Sequence, residues 1–461
     1  MPRKLRTRVL GIAIVSACGF TATNIEREDG ALSPIDSSVD AYIPDASLCV
    51  AASKQCIGAN QKLRVCDSSG ASSRDIDCAW SCLETPEPHC AQLVPSGGAV
   101  TTADLESTAL TDHTIMSATI NTDDGSITGL RAAGGGIING IDYTQRGSVG
   151  VFRFNKLTIN GLVNIRGTRA AAIVSIGEIT INGGIDAQGD CSGSNAGPGG
   201  SPGGAAGKDG SGSGSGGAGS GSNPCSGGGG AGHGGAGGDG GGRDNDGDAF
   251  GTPSIAQLFG GAGGGGGGGE ADGGEGGGGG GALQLVANKR IKINGAQPLA
   301  GRIHAGGCGG RGGLCGGGGG GAGGTILIEA PVIELASSAL AVNGGGGGGG
   351  GGGGNTTGTS GERATLSTTK ASGGNGANGV NGGGPPEPDG GDGGDGGDDN
   401  AASGSNGENA KRAGGGGGAV GRMRFNTLSG SIVTSGTVVL SPALSTMTTQ
   451  TTTSRGMAAI K

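Results

Sequence analysis

Between residues 151 and 344 the chain alternates apolar and polar positions in short strings that recur. Leu157-Thr-Ile-Asn-Gly161, Ile179-Thr-Ile-Asn-Gly183, Ile291-Lys-Ile-Asn-Gly295 and Ile333-Glu-Leu-Ala336 share one pattern. A period of two places every second side chain on one face, which predicts half-buried β-strands. Each string passes through Asn-Gly, or its equivalent, into a second short strand, as the tight turn that Asn-Gly favours requires. Each is also preceded by another apolar strand: Val151-Phe-Arg-Phe154, Ala171-Ala-Ile-Val-Ser-Ile176, Ala282-Leu-Gln-Leu-Val286 and Thr325-Ile-Leu-Ile328. A fifth, Arg422-Met-Arg-Phe425, stands before Leu428. Three short strands per unit are what one coil of a parallel β-helix needs. The expected fold is therefore all-β, a parallel β-helix or β-solenoid of about five coils.

Three long stretches, about 190–281, 306–323 and 344–418, interrupt this pattern. With them set aside, successive units fall 20–24 residues apart, and every interruption leaves from the end of a third strand. Insertions confined to one corner suit a solenoid. Five coils at ~4.8 Å each make a rod of roughly 24 Å. Ile159, Ile181, Ile293 and Leu335 would stack in its interior. Residues 98–150 should add a coil or a cap, Thr437-Val-Val-Leu440 should close the far end, and the Thr-rich residues 445–461 should be a loose tail.

Composition explains the interruptions. Of 461 residues, 119 are Gly, and 98 of these lie between residues 183 and 424. Glycine at that density cannot hold amphipathic helices, and it lacks the every-third register of collagen. Two conformations suit such segments. One is flexible coil. The other, which we expect in part, is a set of extended polyproline-II-like glycine strands packed together with Cα–H···O contacts.

The N-terminus gives an address. Arg3, Lys4, Arg6 and Arg8 precede the apolar run 9–15, which ends in Val15-Ser16-Ala17-Cys18. A basic segment and a short apolar run form an export signal, too short for a membrane-spanning helix. The residues around Cys18 resemble a bacterial lipobox. That resemblance implies cleavage after residue 17 and acylation of Cys18, with Gly19 favouring the outer membrane and 18–48 serving as a tether. The mature chain would carry 26 bases against 38 acids, net −12. An acidic chain with scattered bases is a poor nucleic-acid binder, so membrane association would rest on the lipid.

Ten further cysteines read as disulfides in an exported chain: Cys49, Cys56, Cys66, Cys78, Cys82, Cys90, Cys191, Cys225, Cys308 and Cys315. The first six fall in residues 49–90, a segment too small and too polar to fold without staples. Their pairing is open, with 15 possibilities. Cys191 with Cys225, and Cys308 with Cys315, would staple two of the glycine-rich stretches.

The strings Cys49-Val-Ala-Ala-Ser-Lys-Gln-Cys56, Arg64-Val-Cys66 and Cys78-Ala-Trp-Ser-Cys82, followed by Pro95-Ser96-Gly97, resemble a Cys-rich module of secreted myxobacterial proteins. In those proteins it precedes a glycine-rich β domain, which Gly281-Ala-Leu-Gln-Leu-Val286 and Gly323-Gly-Thr-Ile-Leu-Ile328 also resemble. The resemblance implies architecture and carries no activity.

Candidate chemistry is sparse. Asp244, Asp246 and Asp248 resemble the start of a calcium loop, yet Ala249 and Ile255 stand where its Gly and bidentate Glu belong. Asp389, Asp392, Asp395 and Asp398 recur every third residue and would line one face of a three-fold extended chain, able to hold cations weakly. His89, His113, His233 and His304 have no patterned partners, and Arg166, Lys292 and Glu329 stand isolated. No cofactor motif is present, since GxGxxG matches mean nothing at this glycine content. Two function classes remain. The first is a structural or adhesive surface lipoprotein whose partners are the membrane, through its lipid, and extracellular glycans or matrix. The second is a β-helix polysaccharide lyase or glycoside hydrolase, supported by fold analogy alone. The first is the expectation, a protein that is not an enzyme.

Overall fold

The computed structural model describes residues 49–106, 109–219, 224–295, 301–379, 388–444 and 452–461. The leader, Cys18 and the 18–48 tether lie outside the described residues. No helix among the described residues is long and apolar enough to cross a membrane.

The described chain is strand-rich, as the alternation predicts. Three sheets dominate, and five successive segments each supply one strand to every sheet in the same order. The first sheet takes Val149–Phe154, Ala170–Ser175, Ala282–Ala287, Thr325–Glu329 and Arg422–Thr427. The second takes Lys156–Ile159, Glu178–Ile181, Arg290–Asn294, Val332–Ala336 and Val433–Ser435. The third takes Leu162–Arg166, Gly184–Asp186, Arg302–His304, Ala339–Ala341 and Val439–Ser441. Pairing between these successive segments is parallel in all three sheets, so that Ile159, Ile181, Ile293 and Leu335 stand in register. All four belong to a single buried cluster that also holds Phe152, Phe154 and Phe425.

Residues 98–150 pair in mixed fashion. Asp112–Ile115 and Ala118–Asn121 extend the second and third sheets in parallel. In the first sheet Ile141–Arg146 and Gly136–Ile138 instead add antiparallel strands. At the far end Val439–Ser441 is the fifth third-sheet strand rather than a separate closure. Thr453–Met457 pairs in parallel with Arg422–Thr427, and Ile460 bridges to Leu93. Residues 452–461 are thus not a loose tail. Their backbone groups find partners on the sheet edge and on the 92–94 segment.

The second and third sheets bury one face, as alternation requires: Ile179 and Ile181 are inside while Thr180 is half-exposed. On the outward side Lys156, Glu178, Arg290 and Glu334 form a charge ladder at 2.9–3.7 Å. The Asn-Gly asparagines also stack, with Asn294 Nδ2 donating to Asn182 Oδ1 and Asn182 Nδ2 to Asn160 Oδ1, each at 2.9 Å. Such side-chain ladders hold successive turns in register.

The first sheet is buried on both faces, which explains its near-continuous apolar strings. Its outer face, including Val151, Ala172, Val174, Val286 and Leu327, packs with Trp80 and Leu93. Trp80 belongs to the Cys-rich module, and its Nε1–H donates to Asn288 Oδ1 at 3.0 Å. The module contains an antiparallel sheet of Lys54–Ile57, Lys62–Cys66 and Ser73–Asp77. Disulfides Cys56–Cys82 and Cys78–Cys90 fasten it, and Cys49 and Cys66 are disulfide-bonded too. Module and sheets form one unit, Val50–Lys461.

The glycine-rich stretches leave after third-sheet strands and return at first-sheet strands. Their described residues are ordered, with a hydrogen-bond period of three. Gly316, Gly319 and Ala322 donate to Gly268, Gly265 and Ala262. Gly317, Gly320 and Gly323 donate to Ala413, Gly416 and Ala419; Gly318, Gly321 and Gly324 donate to Arg311, Cys308 and Ala305. Three residues per turn is the geometry of polyproline II, which has no internal hydrogen bonds and must find its partners sideways. The missing side chains face three more neighbours: a Cβ on Gly319, Gly320 or Gly321 would lie 1.9–2.1 Å from the carbonyl oxygens of Gly229, Gly345 or Gly278. One strand thus touches six, and no residue with a Cβ fits at these three positions. The slab is stapled by Cys191–Cys308 and Cys225–Cys315. These bridges join the first stretch to the second, correcting the expectation of Cys191 with Cys225 and Cys308 with Cys315. The reason is that the second stretch runs beside the first: Cys308 N–H donates to the Gly278 carbonyl and Cys315 N–H to the Asp272 carbonyl.

Candidate functional site

The slab brings together acids that the sequence separates. Carboxylate oxygens of Asp239, Asp244 and Asp246 lie within 4.8 Å of one another. Asp248 stands outside that group, a correction to the calcium-loop pattern of Asp244, Asp246 and Asp248. The cause is Asn245, whose Nδ2 donates to the carbonyls of Gly217, Ala218 and Gly227 at 3.0–3.2 Å. Pinned into the slab, it turns its neighbours towards Asp239, whose Oδ1 accepts from the Asn245 and Asp246 N–H groups. Burial, and then the charges of Asp239, Asp244 and Asp248, push the Asp246 carboxyl above its usual range. Three oxygens supply half or less of the six to eight that calcium takes.

The every-third aspartates do line one face. Asp389, Asp392 and Asp395 each accept a backbone N–H of the adjacent strand, from Gly379, Gly376 and Gly373 at 2.6–3.0 Å. Asp395 also pairs with Lys370. Their side chains continue the three-residue hydrogen-bond period and act as backbone acceptors. Asp398 instead accepts locally, from Asn400 and Ala401.

Glu329, isolated in the sequence, is fully buried and fully partnered. Ser96 N, Gln284 Nε2 and Asn426 Nδ2 donate to its carboxylate at 2.8–3.2 Å. These partners come from 96, 284 and 426, so no local pattern announces them. The cluster fastens the 92–97 segment to the first sheet.

His233 is buried and His304 is half-buried. His304 Nδ1 stands 4.0 Å from Asp186 Oδ1, and its Nε2 has no partner. Burial lowers its pKa to about 4, which Asp186 opposes and Arg363 reinforces. His233 stacks on Phe250 with ring centroids 4.5 Å apart, and its Nδ1 meets the Gly323 carbonyl at 2.7 Å. Burial, despite that bond, holds its pKa at about 4, helped by the Arg422 charge. Beside it opens a cavity of about 160 Å³ whose lining includes Thr252, Gln257, Phe259, Thr325 and Arg422. By contrast His113 is surface-borne, bonded to Thr111 Oγ1 at 2.9 Å, and His89 caps the Glu87 carbonyl. The structure does not bring the four histidines together.

Comparison of the chain with protein-family models, with curated proteins and with solved structures finds no match.

Proposed function

We propose that the protein is an exported lipoprotein with a structural or adhesive role at the cell surface. In this reading the three sheets are the faces of a parallel β-solenoid. What supports the solenoid is the order in which five segments each give one strand to every sheet; the antiparallel strands before Val149 would cap it. The glycine slab is the displayed element. The observation that carries the structural role is that the slab's backbone polar groups and its every-third aspartates are committed to neighbouring strands. Such a surface is stiff and uniform, suited to coat or contact rather than turnover, and the protein is not an enzyme. Export is supported by the disulfide bonding of Cys49 and the nine cysteines after it, which needs an oxidising compartment. Acylation of Cys18, outer-membrane sorting, kinship with myxobacterial Cys-rich surface proteins and contact with glycans or matrix complete the proposal.

The test joins location to role. A Cys18→Ser protein should lose its lipid label and leave the membrane fraction, and cells carrying it should lose surface contact. Unchanged labelling sinks the anchor. Release of unsaturated or reducing ends from a polysaccharide by the purified protein sinks the non-enzymatic reading.

A further inference from the structure

The cavity beside His233 has a polar lining that the protein leaves incomplete. Arg422, 7% exposed, gives Nε and Nη2 to the carbonyls of Phe250 and His233 at 2.9–3.3 Å. Its Nη1 has no hydrogen-bond partner and no carboxylate lines the cavity among the described residues. A buried guanidinium without a counter-charge is costly and favours an anion. Desolvation lowers the Arg422 pKa, with no neighbouring acid to oppose it. Thr325, 2% exposed, lines the same wall, and its hydroxyl has no hydrogen-bond partner among the described residues.

His233 adds a second requirement. It is 2% exposed and neutral at pH 7, given its pKa of about 4. With Nδ1–H donated to Gly323, Nε2 is left as an acceptor. A Cβ built on Gly251 would lie 4.0 Å from that Nε2 and 3.5 Å from Arg422 Nε, so the two groups face the same space. A bare anion would satisfy Arg422 and repel the Nε2 lone pair. A ligand carrying both a carboxylate and a hydroxyl satisfies both. At the mouth, Phe259 is 45% exposed and offers an apolar ring face, with Thr252 and Gln257 beside it.

We propose that this cavity binds a small hydroxylated carboxylate, the chemistry of a sugar acid, with its carboxylate on Arg422 and the Thr325 hydroxyl, a hydroxyl donating to His233 Nε2 and its apolar face on Phe259. About 160 Å³ accommodates one such unit. The inference stands apart from the surface role, because it rests on the cavity alone. The ligand could be a free acid or the end of an acidic polysaccharide.

Calorimetry with the purified protein at pH 7 tests this using D-galacturonate, D-galactose, acetate and an oligogalacturonate. Galacturonate should bind saturably, and galactose and acetate should each bind at least tenfold more weakly. Matching affinity for the oligomer points to a polymer end, and binding of the monomer alone points to a free acid; either supports the proposed class. Arg422→Gln should lower affinity about tenfold to a hundredfold, the worth of a charged hydrogen bond. Because Arg422 also holds two carbonyls, Thr325→Val provides a variant of unchanged shape, expected to bind several-fold more weakly with an unaltered circular dichroism spectrum. Absence of saturable galacturonate binding, equal binding of acetate or galactose, or full affinity in Thr325→Val overturns the proposal. Loss of cell contact with galacturonate binding intact, or the reverse, separates this site from the surface role.

Discussion

Replacing Gly319 by Ala adds one methyl group to the centre of the slab. The new Cβ would lie 1.9 Å from the Gly229 carbonyl oxygen, against ordinary contacts beyond 3.4 Å. Something must move by about 1.5 Å, and the obstacle is backbone. The Gly229 strand cannot yield freely, because Gly229 donates to Gly217 and accepts from Gly265. Overpacking a tight interior costs about 1–3 kcal/mol, and each buried hydrogen bond broken adds about 1–3 more. Reduced freedom of the unfolded chain returns about 0.4–1 kcal/mol. Gly319→Ala should therefore destabilise the protein by about 2–5 kcal/mol. The control is Gly135→Ala, where the site is exposed and the nearest atom to the new Cβ is 3.9 Å away; its effect should stay within about 0.5 kcal/mol. Urea unfolding followed by circular dichroism reads both. Equal midpoints for Gly319→Ala and wild type would refute the packed-strand reasoning.

Other outcomes follow from the same geometry. Ile181→Ala or Ile293→Ala should cost about 2–5 kcal/mol by leaving a cavity between stacked strands, measured by the same unfolding; a loss under 1 kcal/mol counts against the shared interior. Non-reducing peptide mapping should find Cys191 linked to Cys308 and Cys225 to Cys315, and removing either bridge should cost about 2–4 kcal/mol. For pH, His233 has a folded pKa of about 4, below its ordinary 6.5. The unfolded chain therefore binds more protons, and the stability from neutral His233 is present above pH 6.5 and lost as pH falls towards 4. That loss is about 3 kcal/mol, so the stability gap between wild type and His233→Gln should shrink by that much from pH 7 to 4; a constant gap contradicts it.

Strands were legible where side chains carry a pattern. Ile179 and Ile181 flank Thr180 in a sheet with one buried face, so alternation reveals both strand and orientation. The Asn-Gly repeats marked the turns, though not the ladder of Asn160, Asn182 and Asn294, which needs neighbouring turns in register. The slab was harder to read. Residues 316–324 carry almost no side chains, so nothing in their order names the strands beside them, and the partners of Cys191 and Cys225 were hidden with them. Glu329 looked isolated because its partners arrive from three distant segments. The 453–457 strand was missed for another reason: Thr-Ser-Arg-Gly-Met has no apolar alternation, and its place comes from the free edge left by Arg422–Thr427. Asp239 joined Asp244 and Asp246 only through the inward turn of Asn245. The cavity was equally silent, since His233, Thr325 and Arg422 belong to separate stretches of chain.

The central claim is that the glycine-rich segments form an ordered, hydrogen-bonded slab. Native-state amide hydrogen exchange read by mass spectrometry addresses it directly, because flexible glycine chain and packed glycine strand differ in nothing so much as the fate of their N–H groups. Peptides covering 316–324, 344–351 and 413–419 should exchange as slowly as those covering Ala170–Ser175 and Ala282–Ala287. Exchange of these glycine peptides within seconds, at the rate of unstructured chain, would contradict the account.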